Sequence, residues 1–282
     1  GEPALSPQFP VILDWIHAKD PHTRHVILTN GTLPQRLWAG GLARFPEVSV
    51  QISLDGPDAV THDSIRGKGS FDQAIAGAYF LQAHGISVYF QAVLSKRTAP
   101  LIPDFFTLAK KVGVTQMAFA RLVREGQAVG LLARGEDEVL PPRELRSAFQ
   151  AMLIESARTA VATNTNQPLF TLLHPGLGRS GRYWEGMVVD YQGYLLASSR
   201  SRLRLGQVLE SGLESLYLEH PHFARLRRGR IKGCGTCPHL KRCGGDRNAA
   251  LAETGDYFAA DPGCWQVSKT LEKEIVYEKA VS

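Results

Sequence analysis

Four cysteines carry the clearest chemistry in this sequence. They fall as Cys234-x2-Cys237-x5-Cys243, with Cys264 returning after 20 intervening residues. Four thiolates saturate either a tetrahedral zinc site or the four corners of a [4Fe–4S] cluster, and the spacing alone does not choose between them. The C-x2-C step brings two thiolates together through a tight turn. Gly233, Gly235, Gly244 and Gly245 supply backbone freedom for close approach to a metal. All the cysteines lie after residue 230, too few and too clustered for a disulfide-stapled scaffold. They point to metal binding in a reducing compartment, for which the cytoplasm is the expectation.

The elements that must position these thiols begin far upstream. Over residues 1 to 135, short β-rich runs alternate with amphipathic stretches. His25–Thr29, Val48–Leu54, Ser87–Leu94 and Gln116–Leu122 read as strands, the first two ending at Asn30-Gly31 and Asp55-Gly56-Pro57. Between them Phe9–Ala18, Phe71–His84 and Ile102–Val112 have helical periodicity. This alternation predicts right-handed βαβ units, an α/β fold and a parallel sheet, whose ligand sits at the carboxyl ends of the strands. A charged passage from Arg134 to Arg143 and one long helix over Pro142–Thr163 read as a bridge. Beyond Asn166 come a hairpin, Met187–Asp190 and Tyr194–Ala197 around Gln192-Gly193, a helical stretch from Gly212 to Arg228, and the cysteine segment. The expected organisation is therefore 1–135, a linker helix region at 136–166, and a small α+β domain at 167–282.

The 282 residues, 44% hydrophobic and 21% charged, are enough for one large domain or two ordinary ones. No run is long and apolar enough for a membrane-spanning helix, so no membrane partner is expected. The net charge of +5 comes largely from Arg200, Arg202, Arg204, Arg225, Arg227, Arg228, Arg230 and Lys232. These lack interleaved aromatics and lie beside a metal-type motif, which argues against nucleic acid; solvated basic faces are common, and an anionic peptide or a carboxylate-bearing small molecule would suit them equally well.

Several of these turns fall into a known pattern. Gly1-Glu2-Pro3 resembles the Gly-Gly-Glu-Pro motif that ends the second strand of radical S-adenosylmethionine (SAM) barrels. Thr29-Asn30-Gly31-Thr32 resembles the third-strand end. Ile52-Ser53-Leu54-Asp55-Gly56, with His62-Asp63, Arg66-Gly67 and Gly69-Ser70-Phe71, resembles the fourth-strand signature of the subgroup with a SPASM or Twitch extension. The cysteine segment resembles that extension. The resemblance implies a partial (β/α)6 barrel lacking its first strand, followed by a C-terminal iron–sulfur domain. It places the SAM amino group on Gly1 and Glu2, the ribose near Ser53, the SAM carboxylate near Gln91 and the adenine against Leu122. Asn30 joins this cofactor-binding set. For Asp55 and Arg66 it implies an ion pair rather than acid/base work.

Two departures qualify the resemblance. The Cys-x3-Cys-x2-Cys loop that holds the SAM-cleaving cluster is absent, and the chain opens inside Gly-Gly-Glu-Pro. The expectation is that an upstream segment is missing and that this chain alone does not cleave SAM. Full SPASM domains also carry two auxiliary clusters. Here Tyr183 or its neighbours, Ser198-Ser199 and Arg247 stand where ligands of the first would be, which leaves one, on Cys234, Cys237, Cys243 and Cys264.

By resemblance the complete enzyme is a radical SAM oxidoreductase or maturase. It generates a 5′-deoxyadenosyl radical on its SAM-binding [4Fe–4S] cluster and takes hydrogen from a peptide or protein side chain. The auxiliary cluster relays an electron, and a flavodoxin or ferredoxin supplies reducing power. Arg121-Leu122-Val123 with Glu125-Gly126 resembles peptide maturases. The single-cluster pattern with Asp261-Pro262-Gly263-Cys264 resembles enzymes that process tetrapyrrole side chains in haem and haem d1 synthesis. A third reading, from another class, is a non-catalytic zinc-binding interaction module.

Overall fold

The computed structural model describes residues 2–45, 47–180 and 186–267. In chain order the elements are α1 (Phe9–Lys19), β1 (His25–Thr29), α2 (Pro34–Ala39), β2 (Val48–Ser53), α3 (Ala59–Arg66), α4 (Ser70–Ala83), β3 (Ser87–Leu94), α5 (Ile102–Val112), β4 (Gln116–Arg121), α6 (Gln127–Ala133), α7 (Pro142–Thr159) and β5 (Ala162–Asn164). Then follow β6 (Val188–Val189), β7 (Tyr194–Leu196), β8 (Arg204–Gln207), α8 (Val208–Ser211), α9 (Leu213–Glu219), α10 (Pro221–Arg227) and α11 (Arg247–Thr254). The chain divides into two compact units, Gly1–Ala120 with Gln150–Asn164, and Arg121–Phe149 with Thr165–Ser282. The division passes through α7.

The first unit is an α/β layer whose sheet runs β1-β2-β3-β4-β5. β1 pairs with β2, β2 with β3, and β4 with β5, each in parallel. The register sets Thr29 opposite Ile52 and Ser53 opposite Gln91, so these strand ends lie level. Helices start where side chains satisfy their free amides. Asp58 Oδ1 accepts from Thr61 N at 2.8 Å to open α3. Asp63 accepts from Gly69 N at 2.6 Å and Phe71 N at 2.9 Å to open α4. α4 then presses on the turn after β1. A Cβ on Gly77 would stand 2.0 Å from the Gly31 carbonyl oxygen, so only glycine permits this approach.

Three local features differ from the sequence reading. The long helix stops at Thr159, because Ala160 takes φ 58°, and Ala162–Asn164 turns back into the sheet as β5 rather than continuing as helix. The stretch from Gly212 to Arg228 is two helices. Pro221 opens the second and lacks the amide that a continuous helix would need there. A short helix, α6, follows Gly126, which takes φ 62°, a conformation that favours glycine.

The second unit carries the antiparallel sheet β6-β7-β8, so the expected hairpin gains a third strand. Its core joins Leu195, Ala197, Leu216, Phe223, Leu226 and Ile231 with Tyr257, Phe258 and Cys234. The cysteine segment is thus anchored directly to the apolar core. Among the described residues no helix is long and apolar enough to cross a membrane.

Candidate functional site

At the carboxyl end of β1, the Glu2 carboxylate ties the chain start to the strand. Oε1 accepts from Thr29 Oγ1 at 2.7 Å and from Ala4 N at 3.2 Å, and Oε2 accepts from Asn30 N at 2.8 Å. A carboxylate offers about four acceptor positions, so one remains on Oε2. Asn30 is committed to its own turn, its Oδ1 accepting from Thr32 N at 2.9 Å and Thr32 Oγ1 at 2.8 Å. Ser53 ends β2, half-buried, beside Gln91 on β3. Gly1 lies outside the described residues. Leu122, just after β4, is buried and belongs to the second unit. The structure therefore brings Glu2 and Asn30 into one turn and Ser53 and Gln91 side by side. Sequence reasoning passed over Thr29, whose hydroxyl receives no signal from spacing alone.

The loop after β2 is built rather than poised. Arg66 Nε donates to Asp55 Oδ2 at 2.7 Å, and Val93 N donates to Asp55 Oδ1 at 3.1 Å. Asp55 N donates to His62 Nδ1 at 3.2 Å, which requires that nitrogen to be unprotonated. Burial, then the Arg66 charge, hold His62 below the usual imidazole range, in keeping with that role. The expected Asp55–Arg66 ion pair is present.

In the second unit Cys234, Cys237, Cys243 and Cys264 line one cavity of about 480 Å³, with Leu169, Leu172, Gly244, Gly245 and Asp261 in its wall. Cys237 N donates to Cys234 O at 3.0 Å, closing the tight turn of the C-x2-C step. Gly245 N reaches Cys243 Sγ at 3.4 Å. All four thiols are free of disulfides. Burial pushes Cys234 up to about 11 and Cys243 to about 12, and raises Cys264 as well, so the metal-free thiols there are neutral at pH 7.

The donor set, four free thiols on one cavity, fits a four-thiolate group, either one zinc ion or a [4Fe–4S] cluster.

Behind the cavity lies a buried charge network. Arg121 Nη1 donates to Asp261 Oδ1 at 2.8 Å, and Arg200 Nη2 donates to Asp246 Oδ2 at 2.8 Å. Asp246 N donates to Asp261 Oδ2 at 2.7 Å, joining the two pairs. Burial opposes ionisation of Asp246, but Arg200 and Arg121 outweigh it and hold the carboxyl below its usual range. Ser198, where a ligand of a first auxiliary cluster would stand, is buried and hydrogen-bonded to Asn248. Tyr183 lies outside the described residues. Arg247 is buried completely.

A parallel α/β unit with Glu2 at a strand end is joined in one chain to a four-thiol cavity. Residues 1–103 match the Radical SAM superfamily, so this part of the chain is a radical SAM domain, and the protein is an enzyme. It is 29% identical over 277 residues to the mycofactocin maturase MftC of Mycobacterium tuberculosis, covering 94% of this chain and 69% of that protein. It is 26% identical over 280 residues to the AdoMet-dependent heme synthase of Nitratidesulfovibrio vulgaris, covering 88% of this chain and 73% of that one. AdoMet-bound anSMEcpe matches with a TM-score of 0.70 at 19% identity, over 95% of this chain and 75% of that one. Streptococcus suis SuiB bound to precursor peptide SuiA matches with a TM-score of 0.65 at 15% identity, over 93% and 62%. At these identities the structural likeness establishes the fold.

Proposed function

We propose that the protein is a radical SAM oxidoreductase or maturase acting on a peptide or protein side chain, with one auxiliary [4Fe–4S] cluster on Cys234, Cys237, Cys243 and Cys264. The observation that carries this reading is the ring of four free thiols around one cavity, in a chain whose first part is a radical SAM domain. Bound SAM supplies hydrogen-abstraction chemistry, and the auxiliary cluster supplies a one-electron relay fed by a donor such as a flavodoxin or ferredoxin.

The chain's own groups bind and orient. Glu2 offers its remaining lone pair, with nearby backbone carbonyls, to the SAM ammonium. The Ser53 hydroxyl bonds the ribose, the Gln91 amide donates to the SAM carboxylate, and Leu122 lies against the adenine. Asn30 holds the turn that carries them. Residues 1–135 act as the partial barrel, 136–166 as a bridge and 167–282 as the auxiliary-cluster domain. Four unpaired thiols suit a reducing compartment such as the cytoplasm.

Anaerobic reconstitution with iron and sulfide tests the cluster. The expected result is visible cluster absorbance that each single Cys→Ala change at 234, 237, 243 or 264 abolishes or bleaches. Chromophore intact in all four variants would overturn the ligand set.

A second reading, tetrapyrrole side-chain processing, is favoured by Ser198 and Arg247 standing where a first auxiliary cluster would be ligated, and by the likeness to the heme synthase. Gene context and binding separate the two. A short precursor peptide encoded beside the gene, bound saturably by the loaded protein, supports the maturase. Tetrapyrrole-synthesis neighbours and porphyrin binding support the alternative.

A further inference from the structure

Arg247 is fully buried, a costly placement for a guanidinium. Its Nε donates to Gly245 O at 3.3 Å, and its Nη1 donates to Tyr257 O at 3.0 Å and Ala259 O at 2.6 Å. Its Nη2 has no partner. Every acceptor is a neutral carbonyl. The nearby carboxylates are already taken, Asp261 by Arg121 and Asp246 by Arg200. Three guanidiniums therefore face two carboxylates, and the excess cation is Arg247.

The unpartnered donor lies directly behind Gly245, a residue of the cysteine cavity's wall. A Cβ on Gly245 would stand 2.5 Å from Arg247 Nη2, so the missing side chain is what makes room for it. Gly245 lines the cavity, and its amide reaches Cys243 Sγ. A four-thiolate cluster carries net negative charge that grows by one on reduction, and its potential follows local charge and hydrogen bonds to sulfur. An orphan donor on an uncompensated cation is the complement of that charge.

We infer that Arg247 is a positioning residue that raises the reduction potential of the cluster on Cys234, Cys237, Cys243 and Cys264, by holding a buried cation with an unpartnered N–H behind Gly245 in the wall of their cavity. The inference rests on the cluster reading above. The cation stabilises the reduced cluster over the oxidised one, so the cluster accepts an electron more readily.

The test is a spectroelectrochemical titration of the reconstituted full chain, read by visible absorbance and by the electron paramagnetic resonance of the reduced cluster. At the potential where the unmodified cluster is half reduced, Arg247→Met lowers the reduced-to-oxidised ratio at least tenfold, a midpoint about 59 mV more negative for one electron. Arg247→Lys keeps the charge and stays within about threefold. Should Arg247→Met fail to load, Arg247→Gln, whose amide still reaches a carbonyl, carries the same expectation. An unchanged midpoint in a neutral variant overturns the inference. So does loss of the cluster from all three variants, Lys included, which would make Arg247 scaffold only. Tight zinc without a cluster in the unmodified chain would instead overturn the cluster reading.

Discussion

Arg121 and Asp261 form a 2.8 Å ion pair closed off from solvent on both sides, with side-chain exposures of 4% and 1%. Asp261 also borders the four-thiol cavity, so the Arg121 charge compensates a carboxylate that would otherwise oppose thiolates beside it. Gly263 makes the arrangement possible, since a Cβ there would meet Arg121 Nη2 at 2.5 Å. Within the second unit, the pair links Arg121 to the turn that presents Cys264.

Removing one partner leaves a buried charge. Arg121→Met is expected to destabilise the chain by about 3 kcal/mol or more, and to reduce the share of chains that retain a cluster. Urea denaturation with iron analysis checks both. A change below about 1 kcal/mol would show that the pair is not closed in solution.

Glu2 is expected to lock the end of β1. Glu2→Ala removes the acceptor for the Asn30 amide and the Thr29 hydroxyl, at a cost of about 1–2 kcal/mol. Hydrogen exchange at the Asn30 amide is then faster by at least tenfold, with little change in the amides of β3. Equal exchange in both proteins would remove the lock.

α4 tolerates no side chain at residue 77. Gly77→Ala forces the Gly31 turn away from the helix and is expected to lower stability by about 2 kcal/mol, the usual cost of overpacking. A thermal melt of the variant checks this, and an unchanged midpoint would contradict the close approach.

Stability should fall with pH through one buried imidazole. Burial, then the His220 and Arg225 charges, pull His222 down to about 4, where it packs against Phe223, Tyr257 and Phe258. The unfolded chain takes up this proton near pH 6.5 and the folded chain only near 4. The contribution is therefore complete above about pH 6.5 and is lost as pH falls towards about 4, by up to roughly 3 kcal/mol. Denaturant midpoints across that window, compared with His222→Phe, isolate it. The variant should show a flatter profile, and parallel profiles would contradict the assignment.

Much of the first unit was legible because parallel strands are short apolar runs that end in recognisable turns. His25–Thr29 before Asn30-Gly31 and Val48–Ser53 before Asp55-Gly56 stand where the pattern put them. β5 was not legible, since three residues, Ala162–Asn164, carry no periodicity and their strand character comes from pairing with Gln116–Ala118. The break at His220-Pro221 was readable in principle from the proline, but the apolar spacing continued across it. At the cysteines, spacing supplied the four candidates and the fold added the shared cavity. Arg247 shows the limit from the other side. Sequence marked it as standing in place of a cysteine, but only packing revealed that it is buried with one donor unpaired.

The most direct test of the central claim is a count of iron, acid-labile sulfide and zinc per chain after anaerobic purification. The cluster account predicts about four irons and four sulfides on the four-thiol cavity, with negligible zinc. About one zinc per chain, retained against added iron and sulfide, would contradict it.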